Sequence, residues 1–178
     1  MNLKYKLKEN DYLQMQLYFF KENITLRKII IKNLIAWFVI FLVIILILYF
    51  SNQEFGVVIF TIVAILVLIV NPFRIKDIYF NRFKKESKVY EKKINKLISV
   101  EFTENYICID KIEKQTKINI SEIEKIIETK QHFFIKFTLE VIIIPKTEID
   151  NQDFLKKELL NLTKKLNIEL ENQLNWKW

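Results

Sequence analysis

The sequence predicts an α+β membrane protein, and three features of its 178 residues carry that prediction. Two uncharged apolar stretches lie either side of four polar residues. Cationic blocks flank the pair on the outside. From about residue 98 the apolar residues change to a two-residue period. Together these imply a two-helix transmembrane hairpin inserted into a cytoplasmic antiparallel β-sheet domain that is capped by a C-terminal helix. The chain then divides into an N-terminal strand and amphipathic helix (1–28), the hairpin (29–73), a basic amphipathic helix (74–97) and the sheet with its helix (98–172).

Residues 2–8 alternate Leu3, Tyr5 and Leu7 with Lys4, Lys6 and Lys8, as in a half-buried strand. Asn10 or Asp11 can cap a following helix whose apolar face carries Tyr12, Leu13, Met15, Phe19 and Phe20. Leu34 to Phe50 contains no charge, and its 17 residues span roughly 26 Å as a helix. Asn33 and a snorkelling Lys32 extend it to the bilayer's hydrocarbon thickness. Phe55 to Phe73 is a second uncharged run. Only Ser51-Asn52-Gln53-Glu54 joins the two, so the helices must be antiparallel neighbours. Helices apolar on every side cannot be core helices here, because too little apolar surface remains to cover them. The first run starts too late, is too long and lacks the small-residue cleavage site of a signal peptide.

Charge orients the hairpin. The net charge of +7 is concentrated around the apolar pair: residues 1–33 hold seven Lys/Arg against three acids, and residues 74–96 nine against three. Arg27, Lys28 and Lys32 precede the first span; Arg74, Lys76, Arg82, Lys84, Lys85 and Lys88 follow the second; the turn has none. The positive-inside bias puts both flanks, and both termini, in the cytoplasm. These nine residues are the candidate headgroup contacts, against the plainer reading of a solvated basic helix with an apolar stripe of Ile75, Tyr79, Phe83, Tyr90, Ile94 and Leu97. Trp37 and Tyr49 sit near opposite ends of the first span, where aromatics favour the interface. Gly56 and Ala64 lack GxxxG spacing, and neither span holds an ionisable group that would mark an ion path.

Beyond residue 98, the segments 98–103, 106–112 and 116–120 read as short strands divided by Glu104-Asn105 and Glu113-Lys114-Gln115. Strands through IEKIIETK, HFFIKFT and EVIIIP follow, the last ended by Pro145, which cannot donate to a ladder. Asp150 can cap a final helix striped by Leu155, Leu159, Leu162 and Leu166. A meander closed by an amphipathic helix implies an antiparallel sheet with the helix packed on it. Strand 2–8 needs a partner and shares the compartment of the later strands, so it should join their sheet. Trp176 and Trp178 read as a frayed tail rather than an interfacial anchor.

Little catalytic chemistry is visible. One cysteine, Cys108, and one histidine, His132, cannot build a disulfide framework or a usual zinc site, and a single glycine, Gly56, excludes Gly-rich phosphate loops. A Cys108–His132 pair would be needed for thiol chemistry; an ordinary strand cysteine is the simpler reading. Lys146, after Pro145, could face a ligand or simply follow a chain reversal. The sequons at Asn23, Asn119 and Asn161 are chance matches if cytoplasmic. No cofactor and no nucleic-acid partner are expected; the basic blocks sit where lipid headgroups would be. The expected function is a non-enzymatic, membrane-anchored interaction or regulatory module whose domain binds a protein partner or lipid headgroups, with homo-oligomerisation left open. The alternatives are an immunity-type protein acting on a membrane partner through its hairpin, and a membrane-embedded enzyme.

Asn10-Asp11-Tyr12-Leu13, the stretch Ile120 to Glu128 (ISEIEKIIE) and Ile142-Ile143-Ile144-Pro145-Lys146 with its following helix give the chain a resemblance to the YcxB-like family of small bacterial membrane proteins. It runs over nearly the whole length. Aromatic residues expected near Ser121 and just after Lys146 are absent. The resemblance implies architecture only: a bacterial inner-membrane protein whose cytoplasmic domain is a half-barrel similar to pleckstrin-homology-like domains.

Overall fold

The computed structural model describes residues 1–22, 24–94, 97–111 and 114–178. Asn23 of the first sequon and Glu113 of the predicted turn lie outside the described residues. The order is β1 (Asn2–Lys6), α1 (Glu9–Glu22), α2 (Ile24–Phe50), α3 (Glu54–Ile94), β2 (Leu97–Phe102), β3 (Tyr106–Lys111), β4 (Lys114–Asn119), β5 (Ile123–Thr129), β6 (His132–Phe137), β7 (Val141–Pro145), α4 (Gln152–Leu166) and β8 (Leu170–Gln173). The chain forms two compact units: Met1–Gln16 with Lys85–Trp178, and Leu17–Lys84.

The second unit is the helical hairpin. Its helices are long and apolar enough to cross a membrane over Leu26–Phe50 and Glu54–Tyr90, and only 6% of each apolar stretch is buried. The turn is set by Asn52 at φ 52°. The Asn52 N–H donates to Tyr49 O (3.1 Å) and the Gln53 N–H to Leu48 O (3.0 Å). These are the paired bonds of a Schellman stop, with Asn in the left-handed position usually held by glycine. Nineteen residues to either side of Asn52, Asn71 Nδ2 donates to Asn33 Oδ1, so the helices run antiparallel in matched register. The expected boundary at 73/74 is not an element end. α3 is one helix of 41 residues with Pro72 inside it; the missing proline N–H removes one backbone bond but leaves enough on either side to carry the helix through. Leu97, read as helical, begins β2 instead.

In the first unit the strands form two sheets rather than one meander. The first, β1-β2-β3-β4, is antiparallel throughout. β1 joins it as expected, with Tyr5 opposite Ile98 and Leu3 opposite Val100. Tyr5, Ile98, Val100, Ile107 and Ile109 alternate inward and are buried, while Lys4, Glu101 and Asp110 face out, which is the alternation read from the sequence. The second sheet, β7-β6-β5-β8, is antiparallel except that β8 lies parallel to β5. Phe133, Phe134, Ile135, Ile126, Ile127 and Ile144 are all nearly inaccessible, so this sheet is buried on both faces. Burying each such side chain is worth about 1.5–3 kcal/mol, several times a typical net hydrogen bond, so this sheet holds the unit together.

α4 buries Leu155, Leu159 and Thr163; it is tied to the second sheet by Lys156 on Glu128 (2.8 Å) and to the β2–β3 turn of the first by Lys165 Nζ donating to Glu104 O (2.8 Å). Its cap is Asn151 rather than Asp150: Asn151 Oδ1 accepts the Phe154 N–H at 2.9 Å, the third helical residue being the one a capping oxygen reaches. Its end is a second left-handed asparagine, Asn167, with the Ile168 N–H on Thr163 O (3.0 Å). That reversal feeds Leu170–Gln173 along β5. The expected frayed tail is therefore corrected. An open strand edge needs hydrogen-bond partners, β8 supplies them, and Trp176 and Trp178 beyond it are half-buried.

Candidate membrane interface and buried polar clusters

The nine predicted headgroup residues lie on α2 and α3. Arg27, Lys28, Lys32, Arg74, Arg82, Lys84, Lys85 and Lys88 are exposed and Lys76 is half-buried. The Asn33–Asn71 bond aligns the charged end of α2 with that of α3, which puts Lys28 near the level of Lys76. Five cations but one acid, Asp77, occupy residues 27–32 and 74–77. Lys21, on α1, joins this belt: burial, and then the charge of Lys76, hold its ammonium below the ordinary lysine value. A run of like charges on this stretch of the helices is what an anionic surface would relieve. On the same unit Phe20 packs on Tyr79 (4.4 Å between centroids) and Phe83 (5.0 Å), which fixes α1 against α3.

The sheet unit holds two buried polar clusters that the sequence did not reveal. In the first, Asp11 is the hinge. Its Oδ2 accepts the Lys8 N–H at 2.7 Å, the acid half of a capping box at the start of α1. Its Oδ1 accepts from His132 Nε2 at 2.8 Å, across 121 residues. Both side chains are nearly inaccessible, and His132 stacks on Phe134 (5.4 Å). Tyr5 and Tyr12 surround the carboxylate. Burial, then Tyr12 and Asp11, raise the Tyr5 phenol far above its ordinary range. Burial, Tyr90 and Asp11 push Tyr12 up to about 12. Both hydroxyls are thus neutral at any physiological pH.

In the second cluster Glu128 sits between two lysines. Lys146 Nζ donates to Oε1 at 2.7 Å and also lies over the Phe133 ring; Lys156, from α4, is 2.8 Å from Oε2. Burial would raise the Glu128 carboxyl, but the two ammonium groups outweigh it and hold the group below the usual glutamate value. Lys146 is therefore committed to an internal ion pair and is not presented to a ligand. Cys108 and His132 are not a pair: Ile107 and Ile109 turn inward on β3, so Cys108 takes the outer face, while His132 is on β6 with Asp11. Only the alternation around Cys108 was visible beforehand; Asp11 and Glu128 read as ordinary cap and strand acids because their partners are distant in sequence.

Among the described residues no group of three or more His, Cys, Asp or Glu is placed to hold a metal ion. Comparison with protein-family models, with curated proteins and with solved structures finds no match.

Proposed function

We propose that this chain is a membrane-anchored interaction module of a bacterial inner membrane. α2 and α3 cross the bilayer, the basic belt meets anionic headgroups, and the two-sheet unit is displayed in the cytoplasm to bind a protein partner. The YcxB-like reading, with its pleckstrin-homology-like domain, belongs to the same proposal; what supports it is the order of strand, helix, two long apolar helices and sheet domain.

One observation carries the proposal. β1 and β2 are hydrogen-bonded neighbours, yet between them the chain runs through α2 and α3, whose apolar stretches are only 6% buried. Residues 2–6 and 97–102 must share one compartment, so a chain that enters the bilayer between them crosses it an even number of times. Two crossings match the two apolar helices, and the Lys/Arg bias chooses the cytoplasm for the ends.

The test is topological. In a Cys108→Ser background, Ser51→Cys should react with a membrane-impermeant maleimide on intact cells, and Lys4→Cys and Asn175→Cys only after lysis. Labelling of either end on intact cells, or release of the chain from membranes by alkaline carbonate, would refute the reading.

A further inference from the structure

Resting on that membrane reading, we infer that the crevice between α2 and α3 lined by Trp37, Leu66, Val67, Val70, Asn71 and Arg74 seats one anionic phospholipid, its phosphate on Arg74 and an acyl chain along Leu66, Val67 and Val70. The crevice measures about 310 Å³, and it opens on helices whose other neighbours in a bilayer are lipid. Its two ends differ chemically. From Leu66 to Arg74 is eight residues, ~12 Å along the helix, and over that distance the wall changes from purely aliphatic to cationic.

The polar end is built rather than incidental. Asn71 is bonded to Asn33, which holds the helices together one turn below Arg74. Trp37 stacks on Phe41 (5.7 Å, 28°), and Phe41 is buried, so the indole wall is held in place. Tryptophan and arginine at this depth match the glycerol–phosphate region, and guanidinium meets a phosphate through two parallel hydrogen bonds. The charge around the mouth then selects an anionic over a zwitterionic lipid. Arg27, Lys28, Lys32, Arg74 and Lys76 face Asp77 alone in this part of the sequence, and Lys21 adds to them.

The full chain, with Trp176→Phe and Trp178→Phe so that Trp37 is the only indole, is reconstituted in phosphatidylcholine vesicles. Either brominated phosphatidylglycerol or brominated phosphatidylcholine is added as a minor component. Brominated phosphatidylglycerol should quench Trp37 more strongly at equal mole fraction. Arg74→Gln should reduce that preference by roughly five-fold, the equivalent of one basic side chain near an anionic headgroup, and Arg82→Gln, about two turns beyond Arg74 and outside the crevice lining, should leave the quenching of Trp37 unchanged, because any headgroup it meets lies away from the indole. Equal quenching by both lipids in the parent chain overturns the site, as does an equal loss in Arg82→Gln, which would mean a diffuse surface field. Protection of Trp37 from both lipids, as a second copy seated on the crevice would give, also overturns it. Co-flotation with the vesicles is scored separately: a chain that floats but shows no preference defeats only the lipid site, whereas one that does not float defeats the membrane reading beneath it.

Discussion

Single residues carry the polar logic of the sheet unit. Glu128 is the clearest case, because it neutralises a lysine that is almost as buried as itself: the Glu128 and Lys146 side chains are 5% and 11% exposed. Glu128→Gln leaves the Lys146 ammonium in that site without its counter-charge, and an orphaned buried charge costs about 3–5 kcal/mol. Chemical denaturation in micelles at pH 7 should show the loss, and Glu128→Gln with Lys146→Met should recover part of it. The pH dependence follows from the direction of the shift. The folded-state value lies below the ordinary 4.5, so the stabilisation is complete above about 4.5 and is lost as pH falls through the folded value. The parent should therefore lose stability on acidification in that window more steeply than Glu128→Gln. His132→Phe makes a different point: it keeps the ring on Phe134 but leaves Asp11 Oδ1 buried without its partner. The expected cost is about 1–3 kcal/mol, read as a lowered melting midpoint.

At the scale of elements, α2 and α4 are ended, and α2 and α3 are aligned, by asparagines. A chain with one glycine still needs left-handed residues to stop its helices, and Asn52 and Asn167 supply them because asparagine tolerates that conformation better than other non-glycine residues. Asn167→Gly should be neutral or stabilising, and Asn167→Val should destabilise by about 1–2 kcal/mol and release β8 from β5, seen as faster amide exchange at Leu170–Gln173. In the hairpin, Asn33→Leu and Asn71→Leu each remove the same interhelical hydrogen bond. A double-mutant cycle on helix association in micelles should return a coupling of about 0.6–1.7 kcal/mol, the range for such bonds between membrane helices. Gly56 is not under comparable constraint: a Cβ there would make ordinary contact with Leu48 Cδ2 at 3.5 Å, so Gly56→Ala should be tolerated and should raise helix stability slightly.

For the whole molecule, the decisive feature is that one sheet is assembled from both sides of the hairpin. β1 contributes Tyr5 to the inner face of the first sheet, so the sheet unit cannot close until about a hundred residues, including both apolar helices, have been made. Deleting residues 1–6 should expose the β2 edge and the Ile98–Val100 face, and the truncated chain should remain in the membrane fraction while its sheet unit becomes protease-sensitive. Retention in the membrane with loss of protection would separate anchoring from folding, which the two compact units already divide along the chain.

Much of this was legible in the residues themselves. Uncharged length, period-two alternation and the placement of Lys and Arg are local properties of a chain in a given solvent, and they identified the hairpin helices, nearly every strand and the basic belt. The same locality explains the misses. Whether strands close one sheet or two, whether a tail finds a free strand edge, and that Asp11 meets His132 or Glu128 meets Lys146 and Lys156 all depend on residues 18 to 121 positions apart meeting in space. No periodicity encodes such pairings, because what selects them is the burial of both partners at once, and only the folded chain decides that.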